Sequence, residues 1–266
     1  MRYTSTRPTP LLDNPDFHHS FGGEDGNSIP LTNALLKTVE TVVFPNEPFE
    51  IVGAIPNSSI VQVTTPSYPY EGKFYTDLRF LAKRDPSSAE KKILLPPSEH
   101  ILDELNKLIG TRYIWGGTWP EGIPDLLNWY PPKHPIETLG PLLQDTWILK
   151  GVDCSGLLYK VTNGCTPRNT SSLLHFGNPV LIEGLSISEI QKHLRPLDLI
   201  VWNGHVICVQ DSHHTIESLG GKGVIRSDLE TRLSTICMTR RPENQGAMGG
   251  DSFVIRRFID SGFFNK

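Results

Sequence analysis

The chain has 266 residues, 38% of them apolar and 20% charged, with a formal net charge of −4 at pH 7. That balance describes a soluble globular protein long enough for two domains of ordinary size, and it offers no basic surface of the kind nucleic-acid binding requires. No apolar run reaches the roughly 20 residues of a membrane-spanning helix.

Residues 1–28 are rich in Pro, Gly, Asn, Asp and His and predict an irregular arm. The arm holds no apolar core of signal-peptide length, which predicts a cytoplasmic protein unless export follows a route the sequence does not show. From residue 38 the pattern alternates. "TVETVVF" (38–44), "FEIVGAI" (49–55) and "SSIVQVTT" (58–65) read as strands, with "PNEP" as a turn, and "YEGKFYTDLRFL" (70–81) follows. Several short strands in about fifty residues predict a small β-barrel over 29–95, ending in a charged, proline-bearing linker at 82–99. "PSEHILDELNKLIG" (97–110) reads as a helix capped by Ser98, with Ile101, Leu105 and Leu108 on one face and Gly110 as its stop. Residues 118–152, with many prolines and with Trp119, Trp129, Tyr130 and Trp147, read as a long loop. It is either a surface excursion packed on the core or a wall that narrows a cleft. A short helix then starts at Asp153-Cys154-Ser155-Gly156 and ends before Gly164. "LDLIVW", "HVICVQ", "HTIES" and "FVIRRFI" read as strands, so the carboxy-terminal part is helix first and then strands, an α+β order.

Cys154 alone reads first as a buried core residue, the commonest fate of a free cysteine. As a nucleophile it would have to ionise, and its place at a helix start favours that: Asp153 is a good N-cap, and the positive helix end lowers a thiol pKa. It would also need a histidine as base. Of nine histidines, His205 stands out at the start of "HVICVQ", after "WNG". If a turn at Gln210–Ser212 joins "HVICVQ" to "HTIES", Val209 faces His213, Ile207 faces Thr215 and His205 faces Glu217, about 5 Å apart at Cβ. Glu217 would then orient the imidazole through one nitrogen and leave the other for Cys154. The four cysteines have no CxxC spacing, and His205 with Cys208, or His213 with His214, makes a poor metal site, so no metal or other cofactor is expected.

"YIWGG" (113–117), "DCSG" (153–156), "RPLDLIVW" (195–202), "HVICVQ" (205–210) and "TIESLGG" (215–221) occur in the order found in the NlpC-type cell-wall cysteine peptidases, which the chain resembles over about 38–85 and 98–260. The resemblance implies a papain-like α+β catalytic core at 96–266, carrying the 118–152 insertion, behind an SH3-like β-barrel. It implies Cys154 as nucleophile, His205 as general base and Glu217 as third residue, where the family usually has His, Asn or Gln. Tyr113, Trp115, Asp153, Ser155 and Tyr70 would border or bind the substrate, with Asp153 and Ser155 holding its free amino end. The implied activity is hydrolysis of the γ-D-glutamyl–diamino acid amide bond in peptidoglycan-derived peptides that begin with a free L-Ala. The alternatives are another peptidoglycan amidase or acyl transferase on the same fold, or a non-catalytic wall-binding protein.

Overall fold

The computed structural model describes residues 2–84, 93–246 and 250–259. The chain runs through β1 (Arg2–Ser5), β2 (Thr9–Leu12), α1 (Phe17–Ser20), β3 (Val39–Val43), β4 (Pro48–Ala54), β5 (Ile60–Thr64), β6 (Phe74–Asp77) and β7 (Leu81–Lys83). It continues through α2 (Ser98–Lys107), β8 (Thr118–Trp119), α3 (Asp125–Trp129), α4 (Pro141–Trp147), β9 (Gly151–Val152), α5 (Cys154–Val161), α6 (Thr170–Leu173), β10 (Asn178–Val180) and α7 (Ile187–His193). The last stretch holds β11 (Leu199–Trp202), β12 (His205–Val209), β13 (His214–Leu219), β14 (Gly223–Asp228), α8 (Leu229–Cys237), β15 (Arg241–Pro242) and β16 (Ser252–Arg257). These elements form two units. The first takes the chain up to 92 and again at 114–152; the second takes 93–113 and everything from 153 on. Among the described residues no helix is long and apolar enough to cross a membrane.

The three alternating segments of the first unit are strands β3, β4 and β5, as their pattern predicts. The amino-terminal arm is not irregular. It contributes β1, which pairs with β4 and β7, and β2, which pairs with β3. Its prolines hide these strands from a pattern reading. Pro10 is tolerated because β2 is four residues long and meets β6 only at Leu12. All pairings are antiparallel, in the order β3-β2-β6-β5-β4-β1-β7. That path is open, with β3 and β7 at its ends, and is not the closed barrel the strand spacing suggests. Residues 85–92 of the expected linker lie outside the described residues.

The 118–152 segment is not a loop: it holds β8, α3, α4 and β9 and packs into the first unit's core, as the packed excursion of the two alternatives does. Trp147, Leu149, Tyr130, Leu126 and Ile123 are buried in one cluster with Leu12, Phe17, Phe21, Val42 and Phe80. β8 pairs with β9 and so closes the base of the segment. Thr118 Oγ1 donates to Val42 O at 2.6 Å, and Trp147 Nε1 donates to Tyr130 O at 2.8 Å. The buried carboxylate of Asp77 accepts from Tyr130 Oη, from Arg79 and from Ser59. Burial alone would raise its pKa; the hydrogen bonds from Arg79 and Tyr130 outweigh that and hold it below the usual carboxylate range.

The second unit is built on an antiparallel sheet in the order β10-β16-β11-β12-β13-β14, with β15 alongside β16. β12 is buried at every position because helices cover both faces. Ile200, Ile207, Val209, Phe253 and Ile255 meet Ile190 of α7 and Leu229, Leu233 and Ile236 of α8. α5 lies against β12 and β13. Helix α2 forms as predicted, with Ile101 and Leu105 buried, but its N-cap is Pro97 without a side-chain cap, and Ser98 is already helical. Arg256 on β16 breaks that strand's apolar pattern: it is 4% exposed, and its Nε has no hydrogen-bond partner.

Candidate active site

The sequence "GVDCSG" makes a helix start of the expected kind. Asp153 is extended, its carboxylate accepts from Gly156 N at 2.7 Å, and Leu157 N donates to Asp153 O at 2.9 Å as the first intrahelical bond. Cys154 is therefore the first helical residue. Its Sγ donates to Gly204 O at 4.0 Å, in the turn that leads into β12. Gly204 has φ +101°, a conformation open to glycine, and its N–H donates to Thr170 Oγ1 at 3.0 Å. The thiol is 7% exposed and borders a cavity of about 10 Å³ lined by Leu157, Leu158, Leu199 and Val206. Burial, and then the charge of Asp153, push its pKa up to about 12. The depression expected from the helix start is outweighed, because the thiol is closed in among apolar side chains.

The residue that sequence reasoning missed here is Arg168. It is 3% exposed and bonds both oxygens of Asp153, at 2.6 and 3.0 Å, and Ser155 Oγ at 2.7 Å. Asp153 and Ser155 were expected to hold a cationic amino end. In the structure both are engaged by Arg168. A lone arginine after Pro167 carries no local signal of such a pairing.

His205 and Glu217 meet, by a different register from the expected one. The turn is closed by Gln210 N to His214 O at 2.9 Å and spans Asp211–His213. Val209 consequently opposes Thr215 and Cys208 opposes Ile216, two positions away from the expected pairing. A shift of two keeps every side chain on its face, and diagonal neighbours on one face remain within reach of long side chains. His205 Nε2 lies 2.7 Å from Glu217 Oε2. Glu217, 1% exposed, also accepts from Arg232 of α8, at 2.6 Å from Nε to Oε1 and 2.8 Å from Nη2 to Oε2. Its own burial acts to raise its pKa, but the hydrogen bonds from His205 and Arg232 hold it below the usual range. The ring of Trp202 lies 5.0 Å from that of His205, and the Arg240 guanidinium lies 5.0 Å over Trp202. No hydrogen bond joins Cys154 Sγ to the imidazole; the thiol reaches the backbone one residue before His205.

Tyr113 belongs to the same unit. Burial, and then the charges of Asp153 and Cys154, raise its phenol pKa well above the ordinary value. Trp115 and Tyr70 belong to the first unit. Trp115 carries Lys37 Nζ 3.1 Å from its ring centroid, and Tyr70 sits edge-on to Tyr68 at 4.7 Å. Among the described residues no three His, Cys, Asp or Glu side chains are grouped to hold a metal. His214 is engaged with Asp211 and Arg226.

An NlpC/P60 family protein from Bacillus cereus ATCC 10987 superposes on the chain with a TM-score of 0.57 at 13% identity, over 97% of this chain and 99% of that one. The chain has the NlpC/P60 fold. Weaker likenesses are to NlpC1 from Trichomonas vaginalis, with a TM-score of 0.35, 14% identity and coverage of 97% and 69%, and to NlpC2 from the same organism, with 0.34, 13%, 97% and 73%. No family sequence model matches the chain, and no curated protein does. In this NlpC/P60 fold the segment "DCSG" starts α5, "HVICV" forms β12 and the Glu217 segment forms β13.

Proposed function

We propose that the protein is a cysteine peptidase that hydrolyses the γ-D-glutamyl–diamino acid amide bond of peptidoglycan-derived peptides. The observation that carries this reading is the fixed imidazole: Glu217 holds His205 Nε2 on the strand whose entry turn receives the Cys154 thiol. With Nε2–H donated to the carboxylate, Nδ1 is the ring nitrogen that can accept a proton. Cys154 Sγ attacks the amide carbon as its proton passes to Nδ1. The N–H groups of Cys154 and Ser155, which have no intrahelical partner in the first turn, receive the developing oxyanion in this reading. The imidazolium then protonates the departing amine, leaving an acyl-thioester. Water adds to that ester as the ring takes its proton, and Cys154 leaves as the thiol. Arg168 engages both Asp153 and Ser155, so the proposal covers the bond cleaved and not the amino end.

A non-catalytic wall-binding role is the second reading, favoured by the raised thiol and its lack of a hydrogen bond to His205. L-Ala-γ-D-Glu-diaminopimelate, with free and acetylated amine, separates the two. Release of diaminopimelate, lost at least a thousandfold in Cys154→Ala, is the expected result. Cleavage elsewhere in the molecule, or binding to sacculi with no product, would overturn the peptidase reading.

A further inference from the structure

We propose that Thr170 is a positioning residue: its hydroxyl holds the turn between β11 and β12 and so sets where the His205 ring stands relative to Cys154. The inference rests on the peptidase reading and deepens it.

Trp202 and His205 pair across β11 and β12, which leaves Asn203 and Gly204 as a two-residue turn. The two-residue turns that match the twist of a hairpin need a positive φ at their first residue. Here it falls on the second: Gly204 has φ +101°, and Asn203 is not in that region. Turns of this other kind splay the strands they join, so this one requires a hold from outside. Packing at Gly204 does not supply it, since a Cβ there would meet nothing within 4 Å. The hold is polar. Gly204 N–H donates to Thr170 Oγ1 at 3.0 Å, from a helix that lies against β11 and β12. The carbonyl of the same glycine accepts from the Cys154 thiol at 4.0 Å, and His205 is the next residue in the chain.

Thr170 is itself anchored. Arg168, two residues earlier, is fixed to Asp153 and Ser155 at the start of α5, and Leu173 and Leu174, just after, are buried. Cys154 and His205 share no hydrogen bond. Their relative placement is carried by a frame that runs from Asp153 through Arg168 and Thr170 to Gly204. Glu217 fixes the imidazole at Nε2, and the turn fixes it at the backbone. Nδ1 lies between those two points, so its distance from the thiol depends on both.

The test pairs NMR on the full-length chain without substrate with kinetics on L-Ala-γ-D-Glu-diaminopimelate. Thr170→Val keeps the shape of the side chain and removes the acceptor. Its Gly204 amide should exchange with solvent about threefold faster or more, while amides of β13 keep their rates. Nuclear Overhauser contacts between the Trp202 and His205 rings should weaken. On peptide, kcat should fall about three- to tenfold, the range that one neutral hydrogen bond covers. KM should change less than about twofold, because the hold acts on the turn. Thr170→Ser keeps the oxygen and should restore exchange, ring contacts and kcat together. Thr170→Ala gives the same reading if the valine variant does not fold, and thermal melts identify folded protein. Unchanged Gly204 exchange and ring contacts in folded Thr170→Val would overturn the proposal whether or not peptide is cleaved. So would an unchanged kcat on a cleaved peptide, or a loss that serine does not rescue. Altered ring contacts in Thr170→Val, with no peptide cleaved by the unaltered protein, would uphold the role of Thr170 toward the ring and sink the peptidase reading alone.

Discussion

Replacing Arg168 with methionine removes the partner of a carboxylate that is also the cap of α5. Both side chains are nearly sealed from water, and the three contacts to Asp153 and Ser155 are all 3.0 Å or shorter. Asp153 would keep Gly156 N at 2.7 Å and Ser155 Oγ at 3.2 Å. Breaking a buried pair from one side costs about 3–5 kcal/mol, because a charge remains in a place water does not reach. With a urea slope of about 2 kcal/mol per molar, the unfolding midpoint should fall by roughly 2 M. Trp202 is the one tryptophan of the second unit, the other four lying within 114–152, so 5-fluorotryptophan NMR in urea reads this unit separately. Adding Asp153→Asn removes the stranded charge and should recover most of the loss. A midpoint unchanged by Arg168→Met, or a double variant no more stable than the single one, would refute the reasoning.

Two other expectations follow from buried groups. Because burial holds the Cys154 thiol near 12, its alkylation by iodoacetamide should rise about tenfold per pH unit between pH 7 and 10 and trail that of the less buried Cys165 and Cys237 at pH 7. A plateau below pH 8 would show a preformed thiolate instead. Burial also lowers the pKa of the Arg256 guanidinium, whose Nε is unpartnered, so Arg256→Met should be neutral or stabilising by up to about 4 kcal/mol in chemical denaturation. Destabilisation beyond about 1 kcal/mol would contradict that account.

The parts of the site that were legible in the sequence are those fixed by local geometry. Asp153 announces a helix start, and the residue after it has one possible place. The facing of His205 and Glu217 survived an error of two in register because strand parity is all their meeting requires. Arg168 and Arg232 were not legible. Each is a single arginine whose partner lies fifteen residues away on another element, and no periodicity encodes that meeting. The thiol's protonation was misjudged because helix position is visible in sequence, whereas enclosure by Leu157, Leu199 and Val206 is not. The same holds for the amino-terminal strands and for 118–152, where proline-rich composition hid residues that the core requires.

That last segment bears on how the protein can be made. The chain starts one unit, leaves it for 93–113, and returns only with Trp147 and Leu149 to fill the cluster begun by Leu12 and Phe17. During synthesis the first unit cannot finish folding until residue 152 has left the ribosome, two residues before the nucleophile. A fragment ending near 95 would expose half a core to aggregation, and one beginning there would carry Trp147 with nothing to bury it. The two units are therefore inherited, expressed and lost together, and neither can be shuffled into another chain by a single cut.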